Sequence, residues 1–123
     1  MKKVITWCAI FCLFCLALVP SLSPKVQAED KNIKIGVAFY KYDDAYMSSV
    51  RVALEKIAKE HSNVELIVND SQNDQAKQND QIDVMIQKGV DVLLINVVDT
   101  GAAEAVVQKA KDANIPLVLF NRE

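Results

Sequence analysis

"IKIGVAFYKYDDAYMSSVRVALEKIAKE", residues 33–60, sets two periodicities back to back. Its first eight residues are an apolar, β-branched run broken only by Lys34. A short continuous run of this kind reads as a strand buried on both faces. From Tyr46 onward, Met47, Val50, Leu54, Ile57 and Ala58 recur at helical spacing along one stripe, so residues 46–60 read as an amphipathic helix. Two adjacent acids, Asp43 and Asp44, and an aromatic, Tyr46, stand where the strand ends and the helix begins.

The same alternation continues outward. Three further short apolar runs, 64–68, 92–95 and 117–120, read as strands. Between them lie segments of helical period at 75–88, with Ile82, Met85 and Ile86, and at 102–113, with Ala103, Val106, Val107 and Ala110. Gly89 is placed to cap the first of these segments, and Pro116 opens the last strand. Strands alternating with helices of this length imply parallel strands joined by right-handed crossovers, a doubly wound α/β layer. In such sheets ligands bind beyond the carboxyl ends of the strands. Those ends are Lys41 to Tyr46, Asn69-Asp70-Ser71, Asn96 to Asp99, and Asn121-Arg122, all rich in Asp and Asn.

The beginning of the chain reads differently. Lys2 and Lys3 precede an unbroken apolar run at 4–19, Pro20 and Pro24 break it, and Val26-Gln27-Ala28 offers a small-x-small cleavage site. Together these make residues 1–28 a secretory signal peptide, shorter in its apolar part than the roughly 20 residues of a spanning helix. All three cysteines, Cys8, Cys12 and Cys15, and the sole tryptophan, Trp7, lie within it. The mature part, 29–123, then has no thiol, disulfide or thiolate metal site. Removing Lys2, Lys3 and Lys25 from the 14 basic residues leaves 11 against 16 acids, a formal charge of about −5. An acidic surface of this kind argues against a nucleic-acid partner.

Several chemistries are missing. Only Gly36, Gly89 and Gly101 are present, so there is no G-x-G-x-x-G and no P-loop. A single histidine, His61, sits at a helix end and reads as a solvated residue of the last turn. Neither a Ser-His-Asp nor a Cys-His set can be assembled. A magnesium-binding phospho-acceptor would need a third acid where the third strand ends, and Asn96 stands there. The chain reads as a non-enzyme.

What remains is hydrogen-bonding capacity at the strand ends. One of Asp43 and Asp44 suits a helix cap, and the other can accept from ligand hydroxyls; the residues alone leave the division open. By spacing Tyr46 is favoured as core, with a flat stacking platform as the alternative. Asn121 can cap a turn, or donate and accept at once. The stretch "NDSQNDQAKQNDQ", 69–81, reads as a solvated loop and helix start with Asp70 or Ser71 as cap, placing Asn73 and Asp74 on the rim.

"IGVAFYKYDDAYMSSVR", "NDSQNDQAKQNDQIDVMIQKGVDVLLINVVD" and "IPLVLFNRE" together resemble the amino-terminal lobe of the pentose/hexose substrate-binding proteins of ABC transporters. The likeness runs over 33–123. It implies the type I periplasmic-binding-protein fold, in which two α/β lobes close by a hinge over one sugar and deliver it to a membrane permease. It implies D-galactose or D-glucose as ligand, a periplasmic or extracellular place, action as a monomer, and in some members presentation to a chemotaxis receptor. By resemblance Asp44 bonds a sugar hydroxyl, Tyr46, where phenylalanine is usual, stacks on the ring, and Asn121 completes this lobe's share. The chain is expected to be an incomplete amino-terminal lobe, with the second lobe, and the calcium loop of close relatives, absent. The rival expectation is the extracellular sugar-sensing part of a signalling receptor.

Overall fold

Strand β1 (Ile33–Phe39) takes an interior place in a four-stranded parallel sheet of order β2-β1-β3-β4, completed by β2 (Val64–Asp70), β3 (Val92–Ile95) and β4 (Leu117–Leu119). The computed structural model describes residues 31–122, so the signal peptide expected over 1–28 lies outside the described part. Register is continuous across the sheet: Gly36 pairs with Ile67 on one side and Leu93 on the other, and Leu93 pairs in turn with Leu117. The chain steps from β1 to β2 on one side, then crosses to β3 on the other. The strand order therefore reverses beside β1, which places a crevice at the carboxyl ends of β1 and β3.

Three helices make the crossovers. Helix α1 (Ala45–Glu60) covers one face; α2 (Gln75–Gln87) and α3 (Ala103–Asp112) cover the other. Side-chain alternation along β1 divides the core. Ala38 joins Ile82, Met85, Leu93, Ile95, Val106 and Ala110 under α2 and α3, whereas Val37 and Phe39 meet Met47 under α1. Gly36 lets α2 approach closely, because a Cβ there would lie 2.7 Å from Met85 Sδ. Helix ends follow local chemistry. Asp44 and Asp74 cap α1 and α2 through the backbone N–H groups of Met47 and Lys77. Gly89, at φ +69°, closes α2 by donating its N–H to Ile86 O at 3.0 Å. Helix α3 follows a 3-10 turn, Thr100–Ala102, that Asp99 caps, and it carries Glu104 in its first turn with Lys109 and Lys111 in its last, as the helix dipole favours.

The expected strands and helices are all present, with ends shifted by one or two residues. Two expectations on packing are corrected. Ile57, placed by spacing on the buried stripe of α1, is exposed. The sheet is also less evenly covered than a run buried on both faces implies. Val118, in register with Leu94 on the α1 face, is 50% exposed, because the one helix on that face packs over β1 and β2.

Candidate functional site

The polar strand ends converge on one edge, as the topology requires. Asp44 caps α1 with Oδ1, which accepts from Met47 N at 2.9 Å, while Oδ2 accepts from the Tyr40 hydroxyl at 2.7 Å. The Met47 N–H, then the Tyr40 O–H, the Tyr46 N–H and the nearby Lys41 hold the Asp44 carboxyl below the usual carboxylate range. The same contact, with burial, pushes the Tyr40 phenol up. The expectation that one acid caps the helix and the other, Asp44 by resemblance, is left for a ligand is corrected as to capping: Asp44 itself is the cap. Asp43 points outward, its side chain 81% exposed and 3.3 Å from Lys41 Nζ.

Beneath this rim lies a buried amide network. Ser71, Gln78 and Asn96 are the buried polar residues among those described. Gln78 Nε2 donates to Ser71 Oγ at 3.1 Å and to Asn96 O at 3.0 Å, and its Oε1 accepts from Val98 N at 3.1 Å. Asn96 accepts from Tyr40 N at 3.3 Å and donates to Phe120 O at 3.0 Å, joining the ends of β1, β3 and β4. Gln81 receives the Ser71 hydroxyl and donates to Asp70 O at 2.9 Å. The reading of 69–81 as a solvated loop with Asp70 or Ser71 as cap is corrected here. Ser71 and Gln78 are core residues, and the cap is Asp74. An amide-rich run on a helix looks solvated in sequence; here Gln75, Gln78 and Gln81 turn to backbone groups of neighbouring segments, which need partners.

Above the network a cavity of about 670 Å³ opens, lined by Tyr40, Lys41, Tyr42, Asp43, Asp70, Gln72, Asn73 and Arg122. Its aromatic walls are fixed. Phe39 meets Tyr42 edge-on at 6.0 Å and Phe120 at 5.6 Å, Arg51 lies 4.6 Å from the Tyr42 ring centre, and Arg122 lies 3.9 Å from that of Tyr40. Burial raises the Tyr42 phenol, which therefore stays protonated and neutral. Gln72 and Asn73 both hold positive φ, 52° and 57°, and Asn73 N–H anchors this turn to Tyr40 O at 2.7 Å.

None of the three residues singled out from sequence lines this cavity. Asp44 adjoins Asp43, Asn121 adjoins Arg122 at φ 62°, and Tyr46 stands in the first turn of α1. Tyr46 is 64% exposed, so the core role favoured by spacing is corrected and its ring face is open. The liners that sequence reasoning did not select, Tyr40, Tyr42 and Gln72, carried no separate signal beyond their place at strand ends. Among the described residues no group of three or more His, Asp or Glu could hold a metal ion, and no helix is long and apolar enough to cross a membrane.

Comparisons with known proteins agree with this fold. A family model described as a periplasmic binding protein domain matches residues 35–123. The D-galactose/methyl-galactoside binding periplasmic protein MglB of Haemophilus influenzae is 50% identical over 90 residues, 73% of this chain and 27% of that protein. A putative rhizopine-binding protein of Rhizobium meliloti is 40% identical over 89 residues, 72% of this chain and 29% of the relative. The crystal structure of an ABC transporter solute binding protein from Bacillus halodurans, with bound myo-inositol, superposes with a TM-score of 0.72 at 30% identity, over 78% of this chain and 33% of its own. The chain therefore spans less than a third of the length of these two curated relatives.

Proposed function

We propose a function from one premise: this chain belongs to the periplasmic binding protein domain family, whose members bind substrates and are not enzymes. From that premise, residues 29–123 are the amino-terminal lobe of an exported sugar-capture protein serving an ABC permease, with D-galactose or D-glucose as ligand. The observation that carries this reading is the convergence of carboxylate, amide and open aromatic groups at the carboxyl edge of one parallel sheet, beside a cavity of about 670 Å³. The preference for galactose over other polyols rests on the 50% identity with a galactoside-binding relative, against 30% with a structure holding myo-inositol.

Each residue has a distinct role. Asp44, with both oxygens already oriented by protein donors, accepts from a sugar hydroxyl at its remaining lone pairs. Tyr46 lays its exposed ring against the apolar C–H face of the sugar. Asn121, held in a left-handed turn after β4, donates and accepts together. Capture proceeds by closure, since a sugar that touches a second lobe only in the closed form shifts the open–closed equilibrium toward it. Titration calorimetry of the full-length protein with D-galactose, D-glucose and myo-inositol tests this. Asp44→Ala is expected to weaken hexose binding tenfold or more, the weight of about one charge-assisted hydrogen bond. Unchanged affinity removes Asp44 from the site, and tighter binding of myo-inositol than of either hexose overturns the assignment of ligand.

A further inference from the structure

We propose that Tyr40 is a positioning residue for both polar sugar ligands of this lobe: its hydroxyl holds the Asp44 carboxylate, and its ring seats Arg122, which fixes the turn carrying Asn121. The proposal rests on the reading above, that Asp44 and Asn121 touch the sugar.

Tyr40 directly follows β1 and is itself anchored, its N–H donating to Asn96 Oδ1 at 3.3 Å and its C=O accepting from Asn73 N–H at 2.7 Å. The Tyr40 hydroxyl and the Met47 N–H reach opposite oxygens of Asp44, at 2.7 Å and 2.9 Å. Two donors on the two oxygens fix the plane of a carboxylate, which a cap bond alone leaves free to rotate. On the other side, the Arg122 guanidinium lies 3.9 Å from the Tyr40 ring centre and donates to Val98 O at 3.1 Å. The Arg122 N–H bonds Phe120 O at 2.7 Å, spanning Asn121. Phe120 is pinned in turn by Asn96 and by the Phe39 ring. Asn121 thus sits in a left-handed turn clamped at both flanks, and one clamp is seated on Tyr40.

The charged groups facing this cluster are Lys41 and Asp43 from the loop before α1, Arg122 from beyond β4, and Asp70 from the last position of β2 across the cavity. The Tyr40 hydroxyl stabilises the ionised form of Asp44, the form able to accept from a sugar hydroxyl. Removing that donor raises the pH at which binding fades.

The test is calorimetric titration of the full-length protein with D-galactose from neutral pH down to about pH 4, near the ordinary carboxylate range. Tyr40→Phe keeps the ring and the Arg122 seat and deletes only the hydroxyl. It is expected to weaken binding about 3- to 10-fold, the weight of one net hydrogen bond, and to move the acid limb of the affinity profile upward. In an Asp44→Asn background the same change is expected to cost nothing further, whereas a general packing defect would add to the first loss. Tyr40→Leu, which also removes the seat of Arg122, is expected to lose more than Tyr40→Phe, and less so when Asn121→Ala is already present. If Asp44→Ala weakens binding but Tyr40→Phe leaves both affinity and acid limb at the wild-type values, the positioning role is refuted while the sugar site stands. If Asp44→Ala binds as wild type, the sugar-site reading itself fails and takes this proposal with it.

Discussion

Replacing Gln78 by leucine tests whether the amides beneath the rim hold the lobe together. The side chain is fully buried and makes three hydrogen bonds, to Ser71 Oγ, Asn96 O and Val98 N, at 3.0–3.1 Å. Leucine has similar volume, so little cavity is left and the loss is almost wholly polar. Ser71 keeps its bond to Gln81, but Asn96 O and Val98 N lose the partner that Gln78 supplies. Two stranded buried backbone groups cost about 1–3 kcal/mol each. Against that, burying leucine in place of an amide returns about 1 kcal/mol. The expected net loss is about 1–5 kcal/mol, a large part of the roughly 5–15 kcal/mol that holds a domain folded. Urea denaturation followed by far-UV circular dichroism measures it; tryptophan emission does not serve, because the only tryptophan is Trp7 in the expected signal peptide. Gln78→Glu gives a second handle. It keeps an acceptor for Val98 N but buries a carboxylate, so its deficit should exceed that of leucine at neutral pH and shrink on acidification. A Gln78→Leu loss below about 0.5 kcal/mol would refute the argument, since the loop backbone would then be satisfied without the amide.

Gly36→Ala is expected to destabilise by about 1–3 kcal/mol through overpacking, since its Cβ meets Met85 Sδ at 2.7 Å and Leu93 Cδ2 at 3.2 Å. The paired control Gly101→Ala, facing only Asp99 and at ordinary φ, should shift the urea midpoint far less. Acid sensitivity follows from two carboxyls held below their ordinary range: Asp91 by the Lys31 ammonium and the Lys34 N–H, and Asp44 by the Met47 N–H and the Tyr40 hydroxyl. A depressed folded-state pKa gives stability that is complete above the unfolded value, about 3.9, and lost as pH falls through the folded one. Urea midpoints should therefore decline below about pH 4, and Asp91→Asn should flatten that decline; a variant with the wild-type slope would remove Asp91 from the account.

The fold was legible because β-branched runs and helical stripes carry period directly, and because seven alternating elements leave few parallel topologies open. The edge proposed to bind ligand was legible for the same reason: topology alone puts every strand's carboxyl end on one side. What did not show was which polar residues turn inward. Gln78 and Asn73 stand five positions apart in one run of amides and acids, yet one is sealed beneath the loops and the other borders the cavity. Burial of a glutamine is decided by the orphaned groups of distant segments, here Asn96 O and Val98 N, and no local pattern reports them. The two adjacent acids illustrate the same limit at short range. Asp43 and Asp44 differ in sequence only by one position, and either suits a cap. The geometry of the turn selects Asp44, and that same selection brings its second oxygen to the Tyr40 hydroxyl. A residue that caps a helix is thereby also one whose carboxylate is held rigid at the proposed ligand edge, so capping and sugar binding need not be rival uses of the two acids: one carboxylate has lone pairs enough for both.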